Sequence, residues 1–336
     1  MKQVPNRFRV VRALPALAVV AVLAAVPTAI VAQERQPITH EAMWQMKRLG
    51  SPVVSPDGRR AVVAVTEPAY DSQRQSTNLW IAPVDGSQPP RPITSARGSE
   101  SGPAWSPDGR RLAFSARREG DEVAQLYVLD LAAGGEAIRL TTLSTGASAP
   151  RWSPDGATIL FSSSLYPGVV GDSAQAAAAA ERRNRRYRAR VYDGFPIRNW
   201  DRWLDERQPR LFTIAATPGA EPVDLLAGTE LVAEPGFDGS GDLQAVWTPD
   251  GAAVVFVATR TRHTAAWADV PSHLFRVGAR GGEPVELTSG PDSYSRPAFG
   301  TDGRTLYAVV NPGNEWVYNV SRLVSFGWPS PASPAR

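Results

Sequence analysis

A five-residue string that recurs along the chain constrains the fold more than any other feature. WSPDG occurs at residues 105–109 and again at 152–156, and looser copies stand at 54–58 (VSPDG), 247–251 (WTPDG) and 300–303 (GTDG). In such a string proline presets the first dihedral angle of a turn, aspartate hydrogen-bonds to nearby amides, and glycine accepts a positive φ. We therefore interpret each copy as a tight turn between two strands.

The aspartates and tryptophans of these copies have an alternative interpretation as functional residues. Carboxylates at the aspartate position could bind a metal or act as general acids, but the local turn already explains each of them, and no metal site or cofactor is predicted. The tryptophans before the turn, Trp105, Trp152 and Trp247, end the incoming strand in a shared register. We expect them to pack between neighbouring sheets.

The spacing of the turns defines a repeat. The equivalent aspartates are Asp57, Asp108, Asp155, Asp250 and Asp302. They lie about fifty residues apart, except for one interval of about twice that length. Each unit reads as strand, SPDG turn, strand, loop, strand, glycine-rich turn and strand, which is typical of a β-propeller blade. The sequence predicts an all-β propeller of four-stranded blades, about five of them, over residues 38–325.

Three stretches of the sequence resemble a known enzyme family. The blade repeat, with WSPDG followed by an apolar strand and LYVLD, is similar to TolB-type repeats and to the propellers of prolyl-oligopeptidase family serine peptidases. Residues 191–212 (VYDGFPIRNWDRWLDERQPRLF) and 311–323 (NPGNEWVYNVSRL) resemble segments of dipeptidyl-peptidase 5-like and acylaminoacyl-peptidase-like members. The resemblance implies a propeller that gates and orients short peptides for a serine peptidase.

One insertion, residues 165–210, interrupts the strand pattern. Its segment DSAQAAAAAERRNRRYRAR, residues 172–190, is rich in strong helix formers and predicts a helix capped by Asp172 or Ser173. Six arginines between residues 182 and 190 would give this helix a basic face. Such a face is either simply solvated or contacts another domain or an acidic peptide.

A cluster of aromatic and charged residues follows the predicted helix and supplies the candidate substrate-binding site. Its members are Arg198, Trp200, Asp201, Trp203, Asp205 and Glu206. Side chains of this kind on a loop can bind a peptide. The family resemblance implies that Asp205 and Glu206 hold the free amine of a substrate. Alternatively, Trp200 and Trp203 simply lock the insertion onto its blade.

No catalytic residue is predicted in this chain. A serine peptidase of this family needs G-x-S-x-G followed by an aspartate and a histidine. The nearest strings, at 146–150 and 171–175, lack the final glycine, and none of the three histidines follows a suitable serine and acid. We therefore expect an incomplete propeller ring, an irregular tail at 326–336 and a missing C-terminal α/β-hydrolase domain. A small closed propeller of four or five blades is the alternative.

The first residues predict export. Lys2, Arg7, Arg9 and Arg12 precede an uncharged stretch from Ala13 to Ala32, which is typical of a signal peptide, residues 1–32, although an uncleaved anchor would also fit. The chain has no cysteine, which excludes disulfides and a lipoprotein anchor. A net charge of +3 over 336 residues does not favour a nucleic-acid partner.

Two functions remain open at this level. The first is the propeller portion of an exported, periplasmic or extracellular serine peptidase, with peptide substrates and the missing hydrolase domain as partners. After cleavage of its signal peptide, such a protein would have no stable membrane association. The second is a TolB-like periplasmic scaffold without enzymatic activity. The sequence leaves the oligomeric state open, with a homodimer as one option.

Overall fold

The computed structural model describes residues 37–71, 75–187, 189, 192, 197–199, 201–204, 206–233, 243–265, 267–314, 316 and 318–329. The predicted signal peptide and residues 330–336 of the predicted tail lie outside these ranges. The chain divides into two units, residues 1–43 and 44–336. The described part of the first unit, residues 37–43, holds most of a short helix, α1 (His40–Trp44). In the described part of the chain no helix is long and apolar enough to cross a bilayer.

The first two repeats form antiparallel sheets. The first sheet contains β1 (Arg48–Leu49), β2 (Val53–Val54), β3 (Arg60–Glu67), β4 (Ser76–Pro83) and β5 (Arg91–Pro92). Both β1 and β2 pair with the same edge of β3, so together they take the place of one inner strand. The second sheet has four strands, β6 (Glu100–Trp105), β7 (Arg111–Ala116), β8 (Gln125–Asp130) and β9 (Ile138–Arg139).

The third repeat carries the insertion. It begins with β10 (Ser148–Trp152) and β11 (Thr158–Leu165). The insertion then supplies helix α2 (Asp172–Asn184) and a hairpin of β12 (Arg198–Asn199) and β13 (Arg202–Trp203). The sheet resumes with β14 (Gln208–Ala215) and β15 (Val223–Asp224), in the order β10-β11-β14-β15. The prediction of a single helical insertion within one blade is therefore confirmed.

The last two repeats follow a short helix, α3 (Glu230–Ala233). The fourth sheet contains β16 (Val246–Trp247), β17 (Ala253–Thr259), β18 (Ser272–Gly278) and β19 (Val285–Glu286), with a 3-10 turn at Arg262–Thr264. The fifth contains β20 (Ser293–Phe299), β21 (Thr305–Asn311) and β22 (Arg322–Gly327). Strand β22 extends two residues into the predicted irregular tail, because Val324 and Phe326 alternate with less buried neighbours and pack into the core.

The core lies between consecutive sheets. Side chains alternate along a strand, so Leu112 and Phe114 of β7 face the first sheet while Ala113 between them faces the third. The described residues form four apolar clusters, between sheets one and two, two and three, three and four, and four and five. No cluster within these ranges joins the fifth sheet to the first, in agreement with the predicted incomplete ring. The all-β propeller prediction is confirmed.

The tryptophans before the turns connect the second, third and fourth sheets to the sheet that precedes each of them. The indole Nε1 of Trp105 donates to the Val53 carbonyl at 2.9 Å, that of Trp152 to the Ala104 carbonyl at 3.1 Å, and that of Trp247 to the Arg151 carbonyl at 3.0 Å. All three rings are at least nine-tenths buried. The predicted packing of tryptophan between sheets is confirmed, with a hydrogen bond added to it.

The SPDG segments form turns that stack on one another. In the third sheet the Ser153 hydroxyl donates to Asp155 Oδ1 at 2.5 Å, and the same oxygen accepts the Ala157 amide. Gly156 has a φ of +69°, and a Cβ added there would lie 3.4 Å from Cδ of Pro107 in the preceding turn. Equivalent approaches relate the other consecutive turns. We call this side of the sheets the turn end.

The opposite side, which we call the loop end, carries the loops between the second and third strands of each sheet. These loops span residues 68–75, 117–124, 166–207, 260–271 and 312–321. They differ in length and sequence, whereas the turns are nearly identical. The insertion is the longest of them, so the candidate binding residues that the structure describes, Arg198, Asp201, Trp203 and Glu206, lie at the loop end.

Candidate functional site at the loop end

The insertion stands on a regular two-stranded stem. Strands β11 and β14 pair along their whole length, from Thr158 opposite Ala215 to Leu165 opposite Gln208. Residues 166–207 therefore leave and re-enter the sheet at one point. Loops carried by such rigid elements often hold binding residues, because the scaffold fixes the ends of the loop.

Helix α2 differs from its prediction at both ends. Gly171 takes the N-cap position without a side-chain cap, and Asp172 instead lies inside the helix. Its Oδ1 accepts the Ser144 amide at 2.8 Å and the Ser144 hydroxyl at 2.9 Å, which ties the helix start to the segment after β9. The helix ends at Asn184 rather than at Arg190, with Arg185 in an extended conformation. Like charges three or four residues apart disfavour a longer helix here.

Arg182 holds the helix against the loop that returns to the sheet. Its Nε and Nη2 each lie 2.7 Å from Oε2 of Glu206. Its guanidinium also lies 4.0 Å from the ring centre of Tyr166. The side chains are 28% and 41% exposed, so water screens the ion pair only in part. Glu206 is thus occupied by the helix through one oxygen, and Oε1 takes no part in these contacts.

The β12–β13 hairpin presents an aromatic face. Trp203 is 54% exposed and stacks on Tyr192, with 6.3 Å between ring centres. The Arg198 guanidinium lies 6.0 Å from the Trp203 ring centre, at the outer limit of a cation–π contact. The Tyr192 hydroxyl donates to the Leu204 carbonyl at 3.0 Å, which closes the hairpin base.

The structure therefore brings together part of the predicted site. Arg198 and Trp203 are in contact, and Asp201 is exposed in the turn of the same hairpin. Glu206 lies in the ion pair with Arg182, a contact that suits the alternative role of locking the insertion. Trp200 and Asp205 lie outside the described residues, and the substrate-binding role of the six residues stays a prediction.

Other loops add exposed aromatic rings at the loop end. Tyr70 lies on the loop of the first sheet, Trp267 on that of the fourth, and Trp316 and Tyr318 on that of the fifth. Between 68% and 94% of each is exposed. Large exposed aromatic groups are frequent at binding surfaces because they supply contact area at low entropic cost. Their recurrence on separate loops was not predicted, since the loops share no sequence pattern.

The loop of the second sheet is instead fixed by a buried polar network. Arg118 pairs with Glu100 at 2.8 Å, and the Tyr127 hydroxyl donates to Asp121 at 2.7 Å. Burial, together with the Asp121 carboxylate, raises the pKa of Tyr127 to about 12. Arg139 of strand β9 completes the network, 3.1 Å from Asp121. This part of the loop end is a rigid support rather than an open binding surface.

Two residues of the insertion that sequence reasoning missed are Tyr192 and Arg182. Each supports a predicted residue, the first by stacking on Trp203 and the second by pairing with Glu206. The tyrosine stands inside the segment that carries the family resemblance, so that segment held a usable signal. The arginine is one of six in a basic run, and nothing in the run distinguishes it.

The serine of the string at 146–150, Ser148, and the buried histidine of the fourth sheet, His273, lie on different sheets. Ser148 is the first residue of β10 in the third sheet, and its hydroxyl donates to the Ser162 carbonyl at 3.4 Å. His273 is buried in β18 of the fourth sheet, beside Thr288 and Tyr294. Burial lowers the pKa of His273. These two residues do not form the nucleophile and base of one site.

Comparisons with known proteins agree with the repeat structure. Residues 33–167 match the family described as the TolB β-propeller domain. Dipeptidyl-peptidase 5 of Porphyromonas endodontalis is 25% identical over 275 residues, which cover 80% of this chain and 38% of that protein. The chain thus spans well under half the length of this curated relative.

Two of the solved structures that are similar to this chain are an acylaminoacyl peptidase and a TolB protein. An acylaminoacyl peptidase of Pyrococcus horikoshii has a TM-score of 0.55 and 16% identity, covering 84% of this chain and 38% of that one. A putative TolB of Agrobacterium tumefaciens has a TM-score of 0.50 and 15% identity, covering 85% of this chain and 79% of that one. At these identities the likeness establishes the fold and leaves the function open.

Proposed function

We propose that this chain, which carries TolB-type propeller repeats and is related to dipeptidyl-peptidase 5, forms the substrate-gating propeller of an exported serine peptidase that cleaves short peptides. The acyl-transfer chemistry would belong to an α/β-hydrolase domain outside this sequence. The propeller would select and orient the peptide.

The main support is the hairpin of the insertion. It presents an exposed indole, Trp203, with a guanidinium against it and the Asp201 carboxylate in the adjoining turn. This combination suits a short peptide, because the indole can cover an apolar side chain while the carboxylates attract the peptide's ammonium group. The β11–β14 stem holds the group on a rigid blade, so little order has to be created on binding.

Glu206 would contribute to amine binding only while it also remains paired with Arg182. Arg182 already contacts Oε2, so a substrate ammonium would have to approach the other oxygen. Asp201 has no such competitor among the contacts described above. We therefore assign the larger role in amine binding to Asp201.

The proposal is tested by titrating the full chain with the tripeptide Ala-Ala-Phe and with its N-acetylated form, following tryptophan fluorescence. The unblocked peptide is expected to bind at least about tenfold more tightly, since a charged hydrogen bond is lost on acetylation. Asp201→Asn should remove most of this difference and Glu206→Gln a smaller part. Glu119→Gln, a matched change on the exposed loop of the second sheet, should leave it intact.

Equal binding of the two peptides, or a difference that survives both substitutions, would contradict amine recognition by the insertion. The chain is also expected not to react with a fluorophosphonate probe. Labelling of any serine in these 336 residues would show that the proposed division of labour is wrong.

A second candidate function is a TolB-like scaffold without peptide selectivity. It is favoured by the repeat match over residues 33–167 and by the larger share of the putative TolB structure, 79%, that this chain covers. In that case the peptide titration gives no saturable change.

A further inference from the structure

A cavity of about 910 Å³ lies beside the third sheet, separate from the hairpin of the insertion. Five segments line it: residues 139–145 from the end of β9, residues 165–175 leading into α2, Arg210 and Phe212 of β14, the β14–β15 turn, and residues 227–233 around α3. Its volume falls in the range of sites that hold small organic molecules, which is about 300–1,000 Å³. Nothing in the proposed peptidase role uses this cavity.

Arg210 is one of two arginines that line the cavity, and the other, Arg139, is paired with Asp121. The side chain of Arg210 comes from β14 and the residue is only 9% exposed. Both of its described contacts are made by Nη1, with the Leu226 carbonyl at 3.3 Å and with Oδ2 of Asp224 at 3.7 Å. The Nε atom is buried and has no hydrogen-bond partner among the described residues. A buried guanidinium with an unused donor is unusual, since buried polar groups are normally paired.

Asp224 is a poor partner for this arginine. The closest approach of the two groups, 3.7 Å, is too long for a hydrogen bond. The other oxygen of the carboxylate accepts the Leu226 amide at 3.0 Å, so the backbone holds it in place. Burial raises the pKa of Asp224, although the amide and the arginine act in the opposite direction. The guanidinium charge is therefore incompletely compensated.

The rest of the wall determines which anion would fit. Leu140, Leu165, Phe212 and Val232 provide apolar surface, and several threonines also line the cavity. Acidic side chains also line the cavity, and they would repel a group with two negative charges about twice as strongly as a group with one. A singly charged, planar carboxylate matches the fork of one guanidinium.

We propose that this cavity binds a small carboxylic acid with an apolar body, whose carboxylate pairs with Arg210. The apolar body lies against Phe212 and the leucines. Asp224 competes with the ligand for the guanidinium, so it limits affinity rather than contributing to it.

The test is calorimetric titration of the full chain with octanoate and 3-phenylpropanoate, and with their neutral amides. At least one acid is expected to bind saturably, with its amide at least about tenfold weaker. Arg210→Met should lower the affinity for the acid to that of the amide. Asp224→Asn should raise it several-fold, because it removes the competing charge and keeps an oxygen for the Leu226 amide.

Two further variants separate the site from general effects. Arg110→Met, at an exposed arginine of the second turn, is the matched control and should leave acid binding unchanged. Ala227→Trp adds bulk at an exposed residue of the cavity wall and should weaken acid and amide alike. Circular dichroism checks that each variant is folded.

The proposal is wrong if neither acid binds saturably, or if folded Arg210→Met binds the acid as the parent does. If Arg210→Met does not fold, the affinity of Asp224→Asn for the acid is the remaining test of the proposal. An unchanged or lowered affinity for the acid in that variant overturns the pairing with Arg210.

Discussion

The turn end and the loop end of the same sheets are built in opposite ways. At the turn end a four-residue pattern repeats, and from the second copy onward each glycine lies against the proline of the turn before it. At the loop end every loop differs, and one of them expands into a helix and a hairpin. Aspartates and tryptophans occur at both ends. At the turn end they stabilise the fold, whereas the described loop-end tryptophans Trp203, Trp267 and Trp316 are exposed.

The largest expected contrast between the ends comes from two tryptophans. Trp152→Ala removes a buried ring, its hydrogen bond to Ala104, and the contact with the Arg111 guanidinium 4.5 Å from the ring centre. The free energy of unfolding should fall by about 3–5 kcal/mol. Trp203→Ala removes a ring that is 54% exposed and should cost about 1 kcal/mol. Urea denaturation followed by far-ultraviolet circular dichroism measures both.

Equal losses of unfolding free energy in these two variants would contradict the contrast between the two ends. They would mean that the hairpin of the insertion stabilises the core as much as the tryptophan between the sheets does.

An intermediate effect is expected from Arg182→Leu, which keeps a good helix former while removing the contacts with Glu206 and Tyr166. Because the ion pair is partly exposed, global stability should fall by only about 1 kcal/mol. Hydrogen exchange of the α2 amides should accelerate, while the amides of β7 and β8 keep their protection. Arg183→Leu, at the exposed neighbouring position, is the control and should change neither. A loss of protection throughout the sheets would show that the insertion is not a separate stability unit.

The smallest expected effect concerns the titration of the Asp155 carboxylate in the turn of the third sheet. The Ser153 hydroxyl, and then the Ala157 amide, lower the pKa of Asp155 below its usual value of 3.8. A group with a lowered folded pKa contributes stability above its unfolded pKa and loses it as the pH falls through the folded pKa. The slope of the unfolding free energy against pH reports how many more protons the unfolded state binds than the folded state. Below about pH 4 this slope should therefore be smaller in Asp155→Asn, by an amount that corresponds to at most about one bound proton. Urea titrations at a series of pH values measure this slope, and an unchanged slope would contradict the assignment.

The turn end was predictable from sequence because its determinants are local. Serine, proline, aspartate and glycine stand within four positions of one another, and the hydroxyl–carboxylate bond of Ser153 and Asp155 joins residues two apart. The apolar alternation of strands such as β7 is equally local. The acceptor of each tryptophan was not predictable, because Trp247 bonds to Arg151 across the whole insertion.

For the loop end, the sequence predicted which segment carries the candidate site but not the contacts that its residues make. The aromatic and charged residues of the insertion identified it, but the ion pair of Arg182 with Glu206 links a helix and a loop that no periodic pattern relates. The early end of α2 reflects repulsion within an arginine run, which helix propensity alone does not register. The Arg210–Asp224 pair was missed because the two residues come from different strands of a repeat whose polar positions vary.

The direction of the tryptophan bonds has a consequence for synthesis. The acceptors Val53, Ala104 and Arg151 each precede the tryptophan that donates to them. The ribosome synthesises the chain from its amino terminus, so the carbonyl that accepts the hydrogen bond of each indole always leaves the ribosome before that indole does. The second, third and fourth sheets therefore each find their tryptophan acceptor already synthesised, so these contacts can form in chain order as synthesis proceeds.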